Sequence, residues 1–525
     1  MTEETLEGCP LGASTSTMQC EWSLVEKKDT VVNNLGPTAF AGAAIMVATR
    51  FSVRIIGLIS VTFLARLLTP EDFGLFGTAA LTLGLFMLLK QVGFGEAIIK
   101  ENELAKEHID TLWTMRLVLS LVIAVIVYLA APYIAVFLQD TRVENVLRVM
   151  ALIPVIDSLG SPASPLLLRE FRYGTDFLLK SGDKIIRVVA VIIVAYVLRS
   201  YWALVIGSLL ASSFSVVVTH LIRPYRPRLT LSHLRDHFNF AFWAYLRSVS
   251  VFFANASDEF VVRSANNTAF FGIYHIARDL ARALIGELIK PVREAMLPAL
   301  SKMQDDPERL AIAAGNVFGA ALIVAVAVSL GVAVTANELV LVLLGEQWVS
   351  AAYYLTLLAV GCGCNAVGEI NQSTFVAAGL QKKTALFWGV RAVLYAVGCI
   401  AAGLLYGPQA VAITFTLLSV AVLGAETAYL LRSVKTPSNM AWPALRPLAA
   451  GALMVVVVTN VSLPTSWPLV GLLLAKVFCG AAVYVLTLAG LWKLVGYKDG
   501  PEYALYSNLP ERLRKLVPLK VPMLN

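Results

Sequence analysis

Fourteen stretches of mostly apolar residues follow one another along the chain, each long enough to cross the hydrocarbon core of a bilayer as a helix. They run over about 40–67, 74–99, 112–138, 145–168, 176–198, 201–222, 239–262, 269–297, 311–335, 348–378, 383–405, 409–431, 445–463 and 469–492. The hydrophilic gaps between them are short, which leaves no room for a soluble catalytic domain. Composition agrees. Of 525 residues 58% are hydrophobic and 15% charged, and the mean hydropathy is +0.73. The surface of a soluble domain cannot accommodate that balance. The expected fold is an all-α integral membrane protein with about 14 transmembrane helices.

The first two stretches, Thr38 to Lys100, form a helical hairpin. The first ends in Leu64-Ala65-Arg66-Leu67-Leu68 and meets Thr69-Pro70-Glu71-Asp72 before the second begins at Phe73-Gly74. Thr69 suits an N-cap, and Pro70 suits a first helical position, where no amide is needed. Glu71 and Asp72 lie where the helix dipole favours negative charge. Basic residues cluster in every second gap: Lys100 and Lys106; Arg169 and Arg172; Arg223, Arg226, Arg228 and Arg235; Lys302 and Arg309; Lys382 and Lys383; Arg432 and Lys435; and the segment after 495. The positive-inside rule puts these gaps and both termini in the cytoplasm and the Thr69 hinge outside. Residues 1–37 are polar and mixed in charge, so they read as a disordered cytoplasmic tail rather than a cleaved signal, and 496–525 as a second tail.

Sliding the hairpin along the chain exposes a repeat. Arg66 followed by EDFGLF at 71–76 matches Arg263 followed by AFFGIY at 269–274; Glu96 matches Glu294, Arg50 matches Arg247, and Arg187 matches Arg391. The offsets cluster near 198, rising to 204 for the last pair, as duplication of a six-helix unit would give. Six is even, so the copies point the same way and the natural site is the cavity between them. The expected divisions are an N-lobe at 38–236, a C-lobe at 237–435 and two extra helices within 436–495.

Charges inside the helices carry most of the remaining information, because each costs about 3 kcal/mol at mid-bilayer even on a lenient scale. Arg50 and Arg54 share a face of the first helix; Arg247, Asn255 and Asp258 share one on the seventh; His275, Arg278 and Arg282 share one on the eighth. These residues, with Lys90, are the candidates for substrate binding. The alternative for the arginines is structural pairing with Asp258, Asp279 or Glu287, and for Lys90 it is snorkelling to the interface. Lys180, Asp183, Lys184 and Arg187 make one face of the fifth helix. The two lysines there read as interfacial, and so do Arg66 and Arg263 at hinge level. Asp157, Asp258, Glu369 (with Asn371) and Glu426 are candidates for binding a coupling cation, a proton or sodium, or else they bond neighbouring helices.

Other classes are disfavoured. Cys9, Cys20, Cys362, Cys364, Cys399 and Cys479 lack metal-site spacing and read as inert thiols. The net charge of +7 reflects how membrane proteins distribute Lys and Arg rather than nucleic-acid binding. The chain has no G-x-S-x-G elbow, no P-loop, no metal-spaced histidine pair and five His in all. It is expected not to be an enzyme, and to need no cofactor beyond the coupling cation.

The hairpin wording LARLLTPEDFGLF and KQVGFGEAIIKE resembles polysaccharide flippases, the oligosaccharide-lipid exporters of the MATE-related (multidrug and toxin extrusion) superfamily. AAPYIAVFL, VMALIPVIDSLGSPASPLLLREFRY, SYWALVIGSLL, LPALSKMQDDPERL and LLGEQWVSAAYYL continue the resemblance in the family's order, from Thr38 to Arg432. The resemblance implies two lobes around a central cavity bordered by helices one, two, seven and eight. It implies a substrate that is a polyprenyl-diphosphate-linked oligosaccharide, a repeat unit of exopolysaccharide, O-antigen or capsule. This would cross a bacterial inner membrane by alternating access, the diphosphate held by Arg50, Arg54, Arg278 and Arg282. Partners would be the bilayer and the pathway's polymerase and chain-length proteins, not nucleic acid. The alternatives are a cation-coupled multidrug antiporter, whose cavity should be acidic rather than rich in Arg, and a membrane polysaccharide polymerase, which would need a large outward loop.

Overall fold

A computed structural model describes residues 49, 52–90, 106–162, 173–222, 224–225, 227–230, 238–301, 303, 306–433, 442–461, 464, 467–495 and 501–503. Among the described residues there is no strand. The helices are α1 (52–67), α2 (Pro70–Met87), α3 (Lys106–Phe137), α4 (Arg142–Met150), α5 (Leu152–Ser158), α6 (Tyr173–Leu198), α7 (Trp202–Ile222), α8 (Phe238–Ala265), α9 (Thr268–Ser301), α10 (Pro307–Val334), α11 (Ala336–Leu343), α12 (Ala351–Ala377), α13 (Gln381–Tyr406), α14 (Pro408–Ser433), α15 (Trp442–Asn460) and α16 (Leu469–Leu494). Helix occurs within each expected stretch. The chain is a multi-pass membrane protein, and among the described residues eight helices are long and apolar enough to span. α6, α8 and α9 are as long, but charges interrupt their apolar surface.

The stretch at 145–168 departs from expectation. It breaks at Ala151 into α4 and α5. The first piece carries Arg142, Glu144 and Arg148 and buries Val143, Val146, Leu147 and Met150 on its opposite face. Such a helix lies on a core rather than crossing a bilayer.

The hinge is built as its residues suggest. The Thr69 hydroxyl accepts from the Asp72 amide at 3.3 Å, and the Asp72 carboxylate accepts from the Thr69 amide at 2.9 Å, a reciprocal cap on α2 worth about 1 kcal/mol. The other carboxylate oxygen accepts from the Tyr201 amide at 2.9 Å, tying the hinge to the α6–α7 turn. Asn267, 198 residues beyond Thr69, caps α9 by accepting from the Phe270 amide at 2.8 Å. The orphan carbonyls at the end of α1 are also met from a distance. Ala65 accepts from the Trp348 indole at 2.8 Å and the Gln347 amide at 2.5 Å, and Leu68 from Gln347 at 3.2 Å.

Contacts between α1–α7, the first half, and α8–α14, the second half, recur reciprocally. α2 and α9 cross at Gly74 and Gly272. A Cβ on Gly74 would stand 1.8 Å from the Thr268 carbonyl oxygen, and one on Gly272 1.8 Å from that of Pro70. Both pairs differ by 198. Arg66 Nη2 donates to the Val342 carbonyl at 3.0 Å, and Arg263 Nη2 to that of Leu138 at 3.5 Å. These acceptors differ by 204. Arg66 and Arg263 were expected to be interfacial anchors; instead each grips the other half. Arg263 goes deeper, with Nε on the Thr78 hydroxyl at 2.8 Å and Nη2 on that of Thr268 at 3.3 Å.

Below this seam one apolar core draws on both halves, joining Leu64, Leu68 and Phe73 to Phe271, Tyr274 and Trp348. A second core lies within the first half, around Leu75, Ile123, Val127 and Leu147. α15 and α16 attach to the second half. Arg446 pairs with Glu502 at 2.9 Å and Lys476 with Glu338 at 2.5 Å, and the Tyr484 hydroxyl donates to the Ile323 carbonyl at 2.8 Å.

Candidate functional site

The densest group of charges in the spanning region lies between α8 and α9. Spacings of three and four put His275, Arg278, Asp279 and Arg282 on neighbouring positions of α9. Arg278 is fully buried, with Nη1 2.8 Å from Asp258, Nε 3.2 Å from Glu259, and Nη2 donating to the Asn255 carbonyl at 3.0 Å. Its guanidinium lies 3.9 Å from the centre of the Phe415 ring. Arg282 reaches the same Glu259 at 3.1 Å and the same Asn255 carbonyl at 2.5 Å, while its side chain stays 38% exposed. The Tyr274 hydroxyl donates to Asp258 at 2.6 Å. His275 Nδ1 lies 3.1 Å from Glu259, and Nε2 lies 3.8 Å from the exposed Asp279.

This geometry revises the expected lining. Arg278 is buried against two carboxylates, away from solvent, so it is a pairing residue in this conformation. Removing either side of such a pair would strand a buried charge. Asp258 is fully buried, with one carboxylate oxygen met by both Arg278 and Tyr274 and the other without a hydrogen-bond partner. Asn255 contributes its main-chain carbonyl, while its side chain donates back to the Val251 carbonyl at 2.9 Å. His275 faces the seam rather than a lumen. A Cβ on Gly77, again 198 residues away, would lie 2.7 Å from its ring.

Arg54 does approach this place. Its Nε donates to the Ala283 carbonyl at 3.3 Å, bringing α1 of the first half beside Arg282 of the second. Arg50 lies outside the described residues. Arg247 is exposed on α8, two turns before Asn255. Lys90 stays within the first half, its amine donating to the Pro154 carbonyl at 3.3 Å. The exposed Asp157 gives its main-chain carbonyl to Arg116. Glu369 is half-buried on α12. Glu426 is buried on α14, accepts from Gln372 at 2.9 Å and lies 4.0 Å from Arg391, so it sits in a polar knot of the second half away from α1.

Glu259 and Tyr274 are the residues that sequence reasoning missed. The helical face drawn through Arg247, Asn255 and Asp258 leaves Glu259 one residue off it. The available signal was an acidic pair, Asp258-Glu259, set directly before Phe260-Val261-Val262.

A polar cavity of about 780 Å³ opens at hinge level, lined from both halves by Glu71, Asp140, Arg142, Arg263, Asn266 and Thr268. Burial alone would raise the Asp140 carboxyl. Hydrogen bonds from Arg142 at 3.0 Å and from Thr268 at 2.7 Å, with the Arg142 charge, hold it below the usual carboxylate range. Among the described residues no three His, Cys, Asp or Glu side chains are placed to hold a metal ion.

Residues 63–353 match the model of a family described as polysaccharide biosynthesis protein. Among curated relatives, "Lipopolysaccharide biosynthesis protein WzxC" of Escherichia coli (strain K12) is 22% identical over 70% of this chain and 75% of its own length. "Succinoglycan biosynthesis transport protein ExoT" of Rhizobium meliloti (strain 1021) is 23% identical over 76% of this chain and 82% of its own. Among solved structures, "Lipid II flippase MurJ, inward closed conformation" superimposes with a TM-score of 0.67 at 16% identity, covering 86% of this chain and 99% of that one. An inward-facing multidrug resistance MATE family transporter of the MOP superfamily gives 0.57 at 15% identity, over 74% and 98%. The fold is that of these transporters.

Proposed function

Because the chain belongs to the polysaccharide biosynthesis protein family, whose model covers more than half of it, we propose that it is a flippase. It moves polyprenyl-diphosphate-linked oligosaccharide repeat units from the cytoplasmic to the outer leaflet of a bacterial inner membrane. The observation that carries this reading is that Arg54 of the first half donates to the Ala283 carbonyl of α9, one residue along from the partly exposed Arg282 of the second half. A diphosphate is a dianion or more, and two forks from opposite walls can hold it through charge-assisted hydrogen bonds. Rocking of the halves about their common axis would carry it across. The relatives are named for different polymers, so the sugar is the variable part and the anionic lipid carrier the common one.

Efflux of organic cations fits less well, since Asp258 and Glu259 are already neutralised by Arg278 and Arg282. Transport rather than catalysis is the role.

The test compares the two arginines with their neighbour. Arg54→Ala and Arg282→Ala should each lower polysaccharide export at least tenfold at unchanged membrane level, with lipid-linked repeat units accumulating on the cytoplasmic side. Arg278→Ala should instead reduce the amount of inserted protein, seen by immunoblotting of membranes. Normal export in both of the first two variants would sink this reading.

A further inference from the structure

The two acids beside His275 are the same two that hold Arg282. Glu259 lies 3.1 Å from His275 Nδ1 and 3.1 Å from Arg282 Nη1. Asp279 lies 3.8 Å from His275 Nε2 and 3.9 Å from Arg282 Nη1. The imidazole and the guanidinium therefore share one pair of carboxylates, a buried one on α8 and an exposed one on α9. Arg282 also donates to the Asn255 carbonyl.

The ring is fixed in this orientation. A Cβ on Gly77 of α2 would stand 2.7 Å from its Cδ2, and Phe271 stacks on it with ring centres 5.5 Å apart. Nδ1 thus stays on the buried acid while Nε2 turns to the exposed one. Asp279 is 59% exposed and Arg282 38%. Charged side chains inside a membrane span face water or a partner rather than lipid, so this edge of α9 borders water and a proton can reach Nε2 from it. The charges that act on the ring are Asp279, Glu259 and Arg282. Of the helices packed on α9, α2 between Phe73 and Leu89 and α10 between Ala311 and Val334 carry no charged residue. On α8 the neighbouring Asp258 is met by Arg278 and Tyr274. α12 brings Tyr354 to Tyr274 and Cys362 to Arg278, with Glu369 two turns beyond. α1 brings Arg54 to the Ala283 carbonyl.

We propose that His275 is a positioning residue for Arg282 in substrate binding: protonated, it takes up the shared carboxylates and frees the guanidinium for the anionic head group, and neutral, it leaves Arg282 held by them. This rests on the reading of Arg282 as a ligand of the diphosphate. The proton comes from water to Nε2 and returns to water, and no bond of the substrate is made or broken. Linkage makes the effect reciprocal, so a bound head group strengthens the hold on the proton.

The purified full-length protein in detergent, titrated with farnesyl diphosphate and followed by tryptophan fluorescence at about pH 6 and about pH 10, tests this over a span that includes the imidazole titration. His275→Gln keeps a donor for Glu259 but carries no proton to lose, and the ligand's own ionisation is common to both proteins. Wild type should bind about fivefold or more tightly than His275→Gln at the lower pH, and within about twofold of it at the upper. Asp279→Asn removes one of the holding acids at an exposed position. It should bind more tightly than wild type, with the larger gain at the upper pH, and it decides the matter even where His275→Gln does not insert. Equal affinities of wild type and His275→Gln at both pH values overturn the inference and leave the substrate reading intact. So does an equal deficit at both, which marks a structural histidine, or an equal gain at both in Asp279→Asn, which marks plain repulsion of the anion. Failure of the wild type to bind farnesyl diphosphate at either pH overturns both readings.

Discussion

Arg187 and Arg391 hold equivalent places in the two halves, yet their surroundings have little in common. Arg391 is buried: its guanidinium lies 4.9 Å from the Trp388 ring and 5.3 Å from that of Tyr395, donates to Asn365 and faces Glu426 at 4.0 Å. Arg187 is a third exposed and lies 3.7 Å from Asp183, one turn back. The same contrast separates Arg278, closed on two carboxylates, from Lys184, which rests on a glycine. Duplication supplied one scaffold twice. Arg278 and Arg391 of the second half are buried and bond helix to helix, while Arg187 of the first pairs along its own helix.

The largest expected effect separates these two kinds of charge. Asp258→Ala, which strands Arg278 in the core, should cost about 3–5 kcal/mol, whereas Asp183→Ala should cost under about 1 kcal/mol because its partner is partly in solvent. Thermal unfolding of the detergent-solubilised variants measures both, and equal losses would erase the distinction between the halves. Next comes the place where the halves do not differ. Gly74→Ala and Gly272→Ala each push a methyl into a carbonyl of the other half, so each should cost about 1–3 kcal/mol. The double variant should fall short of the sum, since both open one crossing. Gly182→Ala, with nothing within 4 Å of its Cβ, is the control. Full additivity would mean that the two glycines do not share a contact.

The smallest effect concerns the turns. The chain adopts left-handed backbone at Gln139 and Arg199 in the first half, and at Gly345 and Gly407 in corresponding turns of the second. Gln139 and Arg199 are exposed. A side chain is strained there, so Gln139→Gly and Arg199→Gly should each raise stability by about 0.5–1 kcal/mol. Gly407→Ala should lower it. A drop in melting temperature for both first-half variants would show that those turns are held by their side chains.

Much of the fold was legible because a bilayer imposes long, coarse rules. Apolar length marked the helices, and Thr69, Pro70 and Asp72 wrote their own cap. The 198-residue offset was visible in EDFGLF and AFFGIY, and it proved to be the spacing of residues that touch. The site was harder to read. Helical periodicity places Asp258 on a face, but only the packing of α9 shows that Glu259, a hundred degrees round, reaches the same two arginines. Nothing local to Lys184 tells that Gly57, over a hundred residues earlier, leaves a notch for it. Charge in a membrane helix says that a partner must exist, and topology decides which.

The crossing of Gly74 and Gly272 has a further meaning. Each glycine meets the backbone around its own counterpart, as happens on the two-fold axis of a symmetric dimer. If the halves were still separate identical chains, one codon would write both sides of that gap, and a single change to alanine would place two methyl groups in it at once. In the fused chain the two glycines vary independently, so either side can be altered while the other stays bare. Fusion thereby halves the penalty of the first step, and a seam inherited from symmetry becomes a place where the two halves can start to diverge.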